Sequence, residues 1–318
     1  AATRGIIIGF DARRKSDVFA LDTARVCAAR GVRAMLFDGV VPTPVLAWSI
    51  THSNGGAGAA AGVMVTASHN PPADNGYKVY LGSGAQIVPP ADTSIAVCID
   101  RIDPCTVPLA DEHHPLIEIV GPAERAAYLE FAPSVRRCPG VPGVPVAYTA
   151  LHGVGGTTLV DAFVAAGLPV PAVVASQHEP DGRFPTVSFP NPEEPGAMDL
   201  LVECAATVGA HVAIANDPDA DRLGVAIPQP DGSWRRLYGD EIGWLMADHI
   251  LRHTAGEDRL VVTTLVSSSL LARMAAAYGV HCIETFTGFK WIGHTVLVNP
   301  HLRFVFGYEQ ALGYLVTT

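Results

Sequence analysis

Val63-Met64-Val65-Thr66-Ala67-Ser68-His69-Asn70-Pro71-Pro72 is the stretch that decides the architecture. Its apolar, largely β-branched opening predicts a short buried strand. The two prolines cannot extend a hydrogen-bonded ladder, and they bias the preceding residue toward an extended or turn conformation. A hydroxyl, that of Ser68, is therefore held at the carboxyl end of a core strand. Open α/β sheets gather their ligand-handling groups at such ends.

The strand–helix rhythm extends outward from this turn. Upstream, residues 6–9 predict a strand and Ser16 the cap of a helix of about four turns, with Val18, Phe19, Ala24, Val26 and Cys27 on its apolar face. Residues 34–37 predict a second strand and 45–50 a short helix. Downstream, a strand at 76–81 and helices at 92–102 and 122–135 complete a first unit. The Pro/Gly-rich residues 138–145 have the composition of a linker. The rhythm restarts with strands at 146–149, 170–175, 211–215 and 223–227 and helices at 157–166, 196–208 and 240–251, with Gly153-Val-Gly-Gly156 as a turn. A third round places strands at 260–264, 281–284 and 303–306 around a helix at 268–278. The expectation is an α/β protein of three consecutive α/β domains with mixed, largely parallel sheets, at residues 1–137, 138–256 and 257–318. Each unit sets a polar loop after a strand: 67–78, 216–222, and 287–290 with 307–314.

Bulk properties narrow the function classes. The 318 residues exceed one ordinary core, and 49% hydrophobic content with a mean hydropathy of +0.27 describes a well-cored globular chain. No apolar run reaches the ~18 residues of a membrane span, and Arg4, Asp11, Arg13 and Arg14 interrupt any leader-like start. A formal charge of −10 with 21 Lys plus Arg argues against a nucleic-acid surface but allows a local basic pocket for a phosphate. The six cysteines are scattered without a CxxC pair. They predict reduced thiols and a cytoplasmic location.

Two loops carry chemistry. Asp217, Asp219 and Asp221 alternate, so an extended loop turns all three carboxylates to one side. Like charges so placed repel unless a cation joins them, and hard oxygen ligands suit Mg²⁺ or Ca²⁺. A solvated acidic turn is the plainer reading. An EF-hand is excluded, because Arg222 stands where its glycine belongs and Pro228 where its closing glutamate belongs. A phosphatase with Asp217 as nucleophile stays open. Ser68 beside His69 suits nucleophilic catalysis or a local cap, without the G-x-S-x-G elbow. Lys78 suits acid–base work, a phosphate contact or a surface charge. Arg13, Arg222 and Lys290 suit a phosphate or solvent.

Taken together, Thr66-Ala-Ser-His-Asn-Pro71, Asn75-Gly-Tyr-Lys78 and Asp217-Pro-Asp-Ala-Asp-Arg222 resemble the α-D-phosphohexomutase (phosphoglucomutase/phosphomannomutase) family in motif, order and separation. Gly9-Phe-Asp-Ala-Arg13 looks like its first-domain arginine loop. Thr287-Gly288-Phe-Lys290 and Gly307-Tyr-Glu309-Gln310-Ala-Leu-Gly-Tyr314 look like its sugar-specificity loops. The last is most similar to a branch of phosphoglucomutase-2-like and phosphopentomutase-like enzymes. The resemblance implies a phosphosugar mutase, an isomerase moving phosphate between C6 and C1 of mannose or glucose through a phosphoserine and a bisphosphorylated sugar, or between C5 and C1 of a pentose. It implies catalytic roles for Ser68, His69, Lys78 and a phosphate-facing Arg13. Asp217, Asp219, Asp221 and phosphorylated Ser68 would hold Mg²⁺, and Arg222, Thr287, Gly288, Lys290, Glu309 and Gln310 would bind substrate. A sugar 1,6-bisphosphate is the implied activator, a small phosphosugar the implied partner, with neither nucleic acid nor membrane. Family members carry a fourth, phosphate-binding domain and residues ahead of the first strand, and this sequence spells out neither. The expectation is that the third domain is incomplete and that these residues alone turn over little substrate. A non-catalytic sugar-phosphate-binding protein is the remaining rival class.

Overall fold

The computed structural model describes residues 3–317. The first unit runs β1 (Ile6–Phe10), α1 (Ser16–Ala29), β2 (Ala34–Phe37), α2 (Thr43–His52), β3 (Ala61–Val65), β4 (Tyr77–Leu81), α3 (Ala91–Ile99), β5 (Ile117–Val120) and α4 (Pro122–Phe131). Its sheet has the order β4-β3-β1-β2-β5. Only β4 is antiparallel, against β3. Both faces are covered, which explains the unbroken apolar runs of the central strands. Ile7, Met35, Phe37 and Met64 pack with Val45, Leu46 and Ile50 of α2, while Ile8, Leu36, Val63 and Val65 pack with Ala20 and Ala24 of α1.

The buried stripe of α1 is Ser16, Ala20, Ala24 and Ala28, and Val18 points outward at 46% exposure. The expected apolar face is thus rotated, because four-residue spacing of small side chains lets the helix lie close against the sheet. Nor does Ser16 cap this helix. Lys15 holds the cap position in a left-handed conformation, and the Ser16 hydroxyl donates to Asp11 Oδ1 at 2.7 Å.

The second unit comprises β6 (Val146–Thr149), α5 (Gly156–Ala165), β7 (Ala172–Val173), α6 (Asp199–Val208), β8 (Val212–Asn216), β9 (Leu223–Pro228) and β10 (Trp234–Arg236). Its sheet order is β10-β9-β8-β6-β7, with β9 and β10 antiparallel to their neighbours. The third comprises α7 (Gly239–Arg252), β11 (Arg259–Thr264), α8 (Leu270–Ala277), β12 (His281–Thr285), α9 (Phe289–Val298), β13 (Arg303–Glu309) and β14 (Gly313–Leu315), with sheet order β12-β11-β13-β14. Here β14 alone is antiparallel.

Sequence patterning assigns α7 to the second unit, but its Ala247, Ile250 and Leu251 pack with Val261, Val305, Phe306 and Tyr308. The third core therefore starts before residue 257. Gly243 makes this approach possible, since a Cβ there would lie 2.6 Å from the Tyr308 ring. Strands β5, β10 and β14 and helix α9 have no counterpart in the sequence-based expectation.

The three units meet at the strand ends that carry the polar loops. Between the first and second, Thr43 N–H donates to Asp219 O at 2.9 Å. Gly182 lies so close to Ala12 and Arg13 that an added Cβ would sit 2.8 Å from Arg13 Cα. Between the second and third, Leu223 N–H donates to Leu312 O at 3.0 Å, beside an antiparallel bridge pairing Arg222 with Gly313.

Candidate active site

Beyond β3 the chain turns sharply, and Ser68 adopts φ 52°, a left-handed conformation uncommon outside glycine. Its amide donates to Thr66 Oγ1 at 2.8 Å, and Thr66 Oγ1 donates to Asp11 Oδ2 at 2.7 Å. Beneath the turn lies Arg13, 2% exposed. Its Nη1 donates to the carbonyls of Pro71 at 2.7 Å and Asp74 at 3.3 Å, and its Nη2 to those of Ser68 at 2.5 Å and Asn70 at 2.6 Å. Nε faces Asp11 Oδ2 at 3.2 Å, and the ring of Phe184 lies 5.0 Å from the guanidinium. Arg13 was expected to face a phosphate; instead its guanidinium is enclosed by the turn's carbonyls. The strained conformation at Ser68 is held from below by a buried cation.

The aspartate loop follows β8. Ala220 takes φ 59°, and the loop rests on the turn 153–156. Val154 N–H donates to Pro218 O at 2.8 Å. A Cβ on Gly153 would lie 2.5 Å from Pro218 Cα, and one on Gly155 would lie 2.9 Å from Ala220 Cβ. These glycines are required by close backbone approach.

Asp217 and Asp219 are fully buried, and with Asp221 they bring carboxylate oxygens within 4.8 Å of one another. Ser68 Oγ donates to Asp217 Oδ2 at 2.9 Å, while Asp217 Oδ1 accepts from Arg222 N–H at 3.1 Å. With both oxygens engaged, Asp217 is poorly disposed as the nucleophile of a phosphatase. Lys78 Nζ donates at 2.6 Å to both Asp219 Oδ2 and Asp221 Oδ2, and Thr43 Oγ1 donates to Asp219 Oδ2. Asp219 Oδ1 is buried with no hydrogen-bond partner.

Burial, reinforced by Asp219 and Asp221, pushes the Asp217 carboxyl well above its usual range. Burial opposes ionisation of Asp219 too, but Lys78 and the hydroxyls of Thr43 and Ser68 outweigh it and hold the group down at about 2. Burial, then the cations Arg222 and Lys78, depress His69 to about 4, so its imidazole is neutral at neutral pH. Three clustered carboxylates outnumber Lys78 and Arg222, and one buried carboxylate oxygen lacks any donor. The site can hold a hard cation.

From the third unit, Glu309 ends β13 at 9% exposure. Its carboxylate accepts from the Gly288 amide, and burial raises its pKa against the pull of Arg222. Arg222 itself reaches toward Glu193 at 3.9 Å and Asp217 at 4.0 Å. Thr287 is exposed, and Lys290 stands on the first turn of α9 with Nζ 5.8 Å from the Trp291 ring centre. Gln310 turns into its own unit, with its amide and side-chain oxygen 3.2 and 3.3 Å from Ser267 Oγ. The structure thus gathers Ser68, His69, Lys78, the three aspartates, Arg222 and Glu309, and sets Arg13 and Gln310 in supporting positions. Sequence reasoning missed Asp11, Thr43 and Thr66. Asp11 and Thr66 lie inside the motifs that carry the resemblance, and Thr43 lies between two prolines just past a strand.

Comparison with known proteins identifies the family and the fold. Residues 1–105, 127–232 and 238–318 match the phosphoglucomutase/phosphomannomutase alpha/beta/alpha domains I, II and III, respectively. The chain is 46% identical over 317 residues to a Haemophilus influenzae protein named "Probable phosphomannomutase", covering 98% of this chain and 62% of that one. It is 37% identical over 339 residues to the human protein named "Phosphopentomutase", covering 98% of this chain and 54% of that one. A phosphoglucomutase/phosphomannomutase family protein from Burkholderia thailandensis shares the fold, with a TM-score of 0.75 at 24% identity over 98% of this chain and 64% of that one. The chain therefore spans between half and two thirds of the relatives it matches.

Proposed function

The chain belongs to the phosphoglucomutase/phosphomannomutase family, and from that premise we propose that the whole protein is a Mg²⁺-dependent phosphosugar mutase interconverting hexose 6-phosphate and hexose 1-phosphate. The observation that carries the reading is the 2.9 Å hydrogen bond from Ser68 Oγ to Asp217 Oδ2. It sets a hydroxyl on a clamped turn directly against the carboxylates suited to a cation.

In this reading Ser68 carries the phosphoryl group, and Asp217, Asp219 and Asp221 hold Mg²⁺. The ion, when bound, neutralises charge on the phosphoryl oxygens. Transfer breaks the P–Oγ bond of Ser68 and forms a P–O bond to a sugar hydroxyl; the proton of that hydroxyl passes to a base in the site, and the departing Ser68 Oγ takes up a proton from an acid in the site and becomes a hydroxyl again. The bisphosphorylated sugar reorients, and its other phosphate returns to Ser68. Arg222 faces the phosphate, Glu309 accepts hydrogen bonds from sugar hydroxyls, and Lys78 and neutral His69 orient the reacting groups. Arg13 fixes the Ser68 turn so that these groups start in register, and positioning of this kind supplies much of the acceleration in phosphoryl transfer. A sugar 1,6-bisphosphate serves as activator by phosphorylating Ser68.

A pentose phosphate is the second reading. It is favoured by the loop Gly307-Tyr-Glu-Gln-Ala-Leu-Gly-Tyr314 and by the relative named a phosphopentomutase. The test is a coupled assay of the full-length protein and its Ser68→Ala variant on mannose, glucose and ribose 1-phosphates with a bisphosphate activator. The wild type should turn over one sugar class preferentially and carry one phosphate by intact mass, and the variant should do neither. Equal turnover by the variant, or release of inorganic phosphate that survives the substitution, would remove the mutase reading.

A further inference from the structure

Away from the carboxylate cluster, a second group of side chains of metal-ligating type gathers at the C-terminal end of α7. Cys138, His249 and His253 bring one ligand atom each to within 4.8 Å of one another. Cys138 belongs to the segment joining the first and second units, whereas both histidines stand on the last turn and cap of α7 in the third. We propose that these three side chains form a surface site for a Zn²⁺-class transition metal, one that staples the inter-unit segment to α7.

Several independent features support a site over a chance encounter. Tetrahedral zinc with bonds of about 2.0–2.3 Å needs ligand atoms about 3.3–3.6 Å apart, a small contraction within rotamer reach. Histidines four residues apart on a helix present their rings to one face, and here the ring centres are 4.5 Å apart.

His253 Nδ1 lies 2.7 Å from His249 O. A carbonyl oxygen only accepts, so Nδ1 carries the proton and the metal-binding lone pair is left on Nε2. Metal-ligating histidines typically have their second nitrogen fixed in this way.

The cysteine's position is also prepared. Val141 N–H donates to Cys138 O at 3.2 Å, closing a turn. Arg136 pins that turn by donating to Val141 O and, at 2.9 Å, to Ala166 O at the end of α5. The carbonyl end of a helix also favours a cation. One thiolate and two imidazoles form a softer donor set than the three carboxylates, so the two sites select different metals. Magnesium belongs with the oxygens, and zinc or cobalt with the sulfur and nitrogens.

The test uses the full-length protein with Mg²⁺ in excess, which occupies the carboxylates. Zn²⁺ is titrated in competition with a chromophoric chelator, and Co²⁺ is added in parallel for its thiolate-to-cobalt charge-transfer band. The wild type should bind Zn²⁺ and show that band. Cys138→Ser and His253→Ala should each abolish the band and weaken Zn²⁺ binding by more than about 10-fold, a cost that outer-shell losses alone can reach at metal sites. Neither residue belongs to the mutase machinery, so turnover without zinc should be unchanged in both variants and failure here would leave the mutase reading intact. A wild type without the band, or a band that survives Cys138→Ser, would overturn the site.

Discussion

Replacing Arg13 by lysine separates a residue that holds the Ser68 turn from one that binds phosphate. The guanidinium serves four carbonyls in two pairs, Pro71 with Asp74 from Nη1 and Ser68 with Asn70 from Nη2. An ammonium keeps the charge opposite Asp11, but as a compact point donor it can reach only one of those pairs. The Arg13 side chain has 0% exposure, so water does not readily replace the lost partners. Two charge-assisted hydrogen bonds at ~1.5–3 kcal/mol each put the loss at about 3–6 kcal/mol. That is a large share of the roughly 5–15 kcal/mol that holds a typical domain together. The damage should concentrate in the turn. The urea midpoint should fall, amides at 66–76 should exchange faster, and kcat should drop because Ser68 Oγ no longer rests against Asp217. The KM for the phosphosugar should change little. A midpoint shifted by less than about 0.5 kcal/mol together with a raised KM would refute this, and would return Arg13 to the role of a phosphate ligand.

Three further outcomes follow from the same contacts. Gly182→Ala would drive a methyl into the Ala12 carbonyl and Arg13 Cα; overpacking of this kind costs about 1–3 kcal/mol, readable as a lowered denaturation midpoint with reduced turnover. Asp219→Asn removes the carboxylate whose Oδ1 lacks a donor and should raise the Mg²⁺ concentration for half-maximal turnover by about 10-fold or more; an unchanged Mg²⁺ titration would remove Asp219 from the ligand set. Burial holds His152 below its usual pKa, with Nε2 2.8 Å from Thr186 Oγ1. Its contribution is therefore fully present above the unfolded value of about 6.5 and is lost as pH falls through the lower folded value. His152→Gln should be less sensitive than the wild type to acidification over that window when urea midpoints are compared.

Much of this organisation is legible in the sequence. The central strands announce themselves because both their faces are buried, so the apolar runs are continuous and stop where the backbone must turn. Ser68 and the three aspartates lie just past such stops and Lys78 at the start of the next strand, and their local pattern was enough to set them at one end of the sheets. Where an element is exposed or charged, that signal fades. Strand β5 has an outward Ile119 at 62% exposure, β10 is Trp-Arg-Arg, and α9 holds β-branched residues and a glycine. The placement of α7 failed for a different reason. Its periodicity identifies a helix but does not say which sheet receives its face, and that choice rests on the room left by Gly243 opposite Tyr308. The place of Arg13 is not legible in the sequence, because its acceptors are backbone carbonyls more than fifty residues away. Carbonyls leave no trace in side-chain identity, and the hydroxyls of Ser16 and Thr66 meet Asp11 only through the fold.

The seam at Arg222 and Gly313 gives the site a single lever with two loads. Arg222 bridges to Gly313 through its backbone, and its own amide holds Asp217 Oδ1. Any displacement of the loop after Glu309 is therefore transmitted within one residue to the carboxylate nearest Ser68. Under the proposed mutase function, choosing a sugar and gripping a cation would not be tuned independently on this frame. Substitutions at residues 311–313 that retarget the enzyme to a different sugar should also shift its demand for magnesium, so sugar preference and metal requirement should change together across variants.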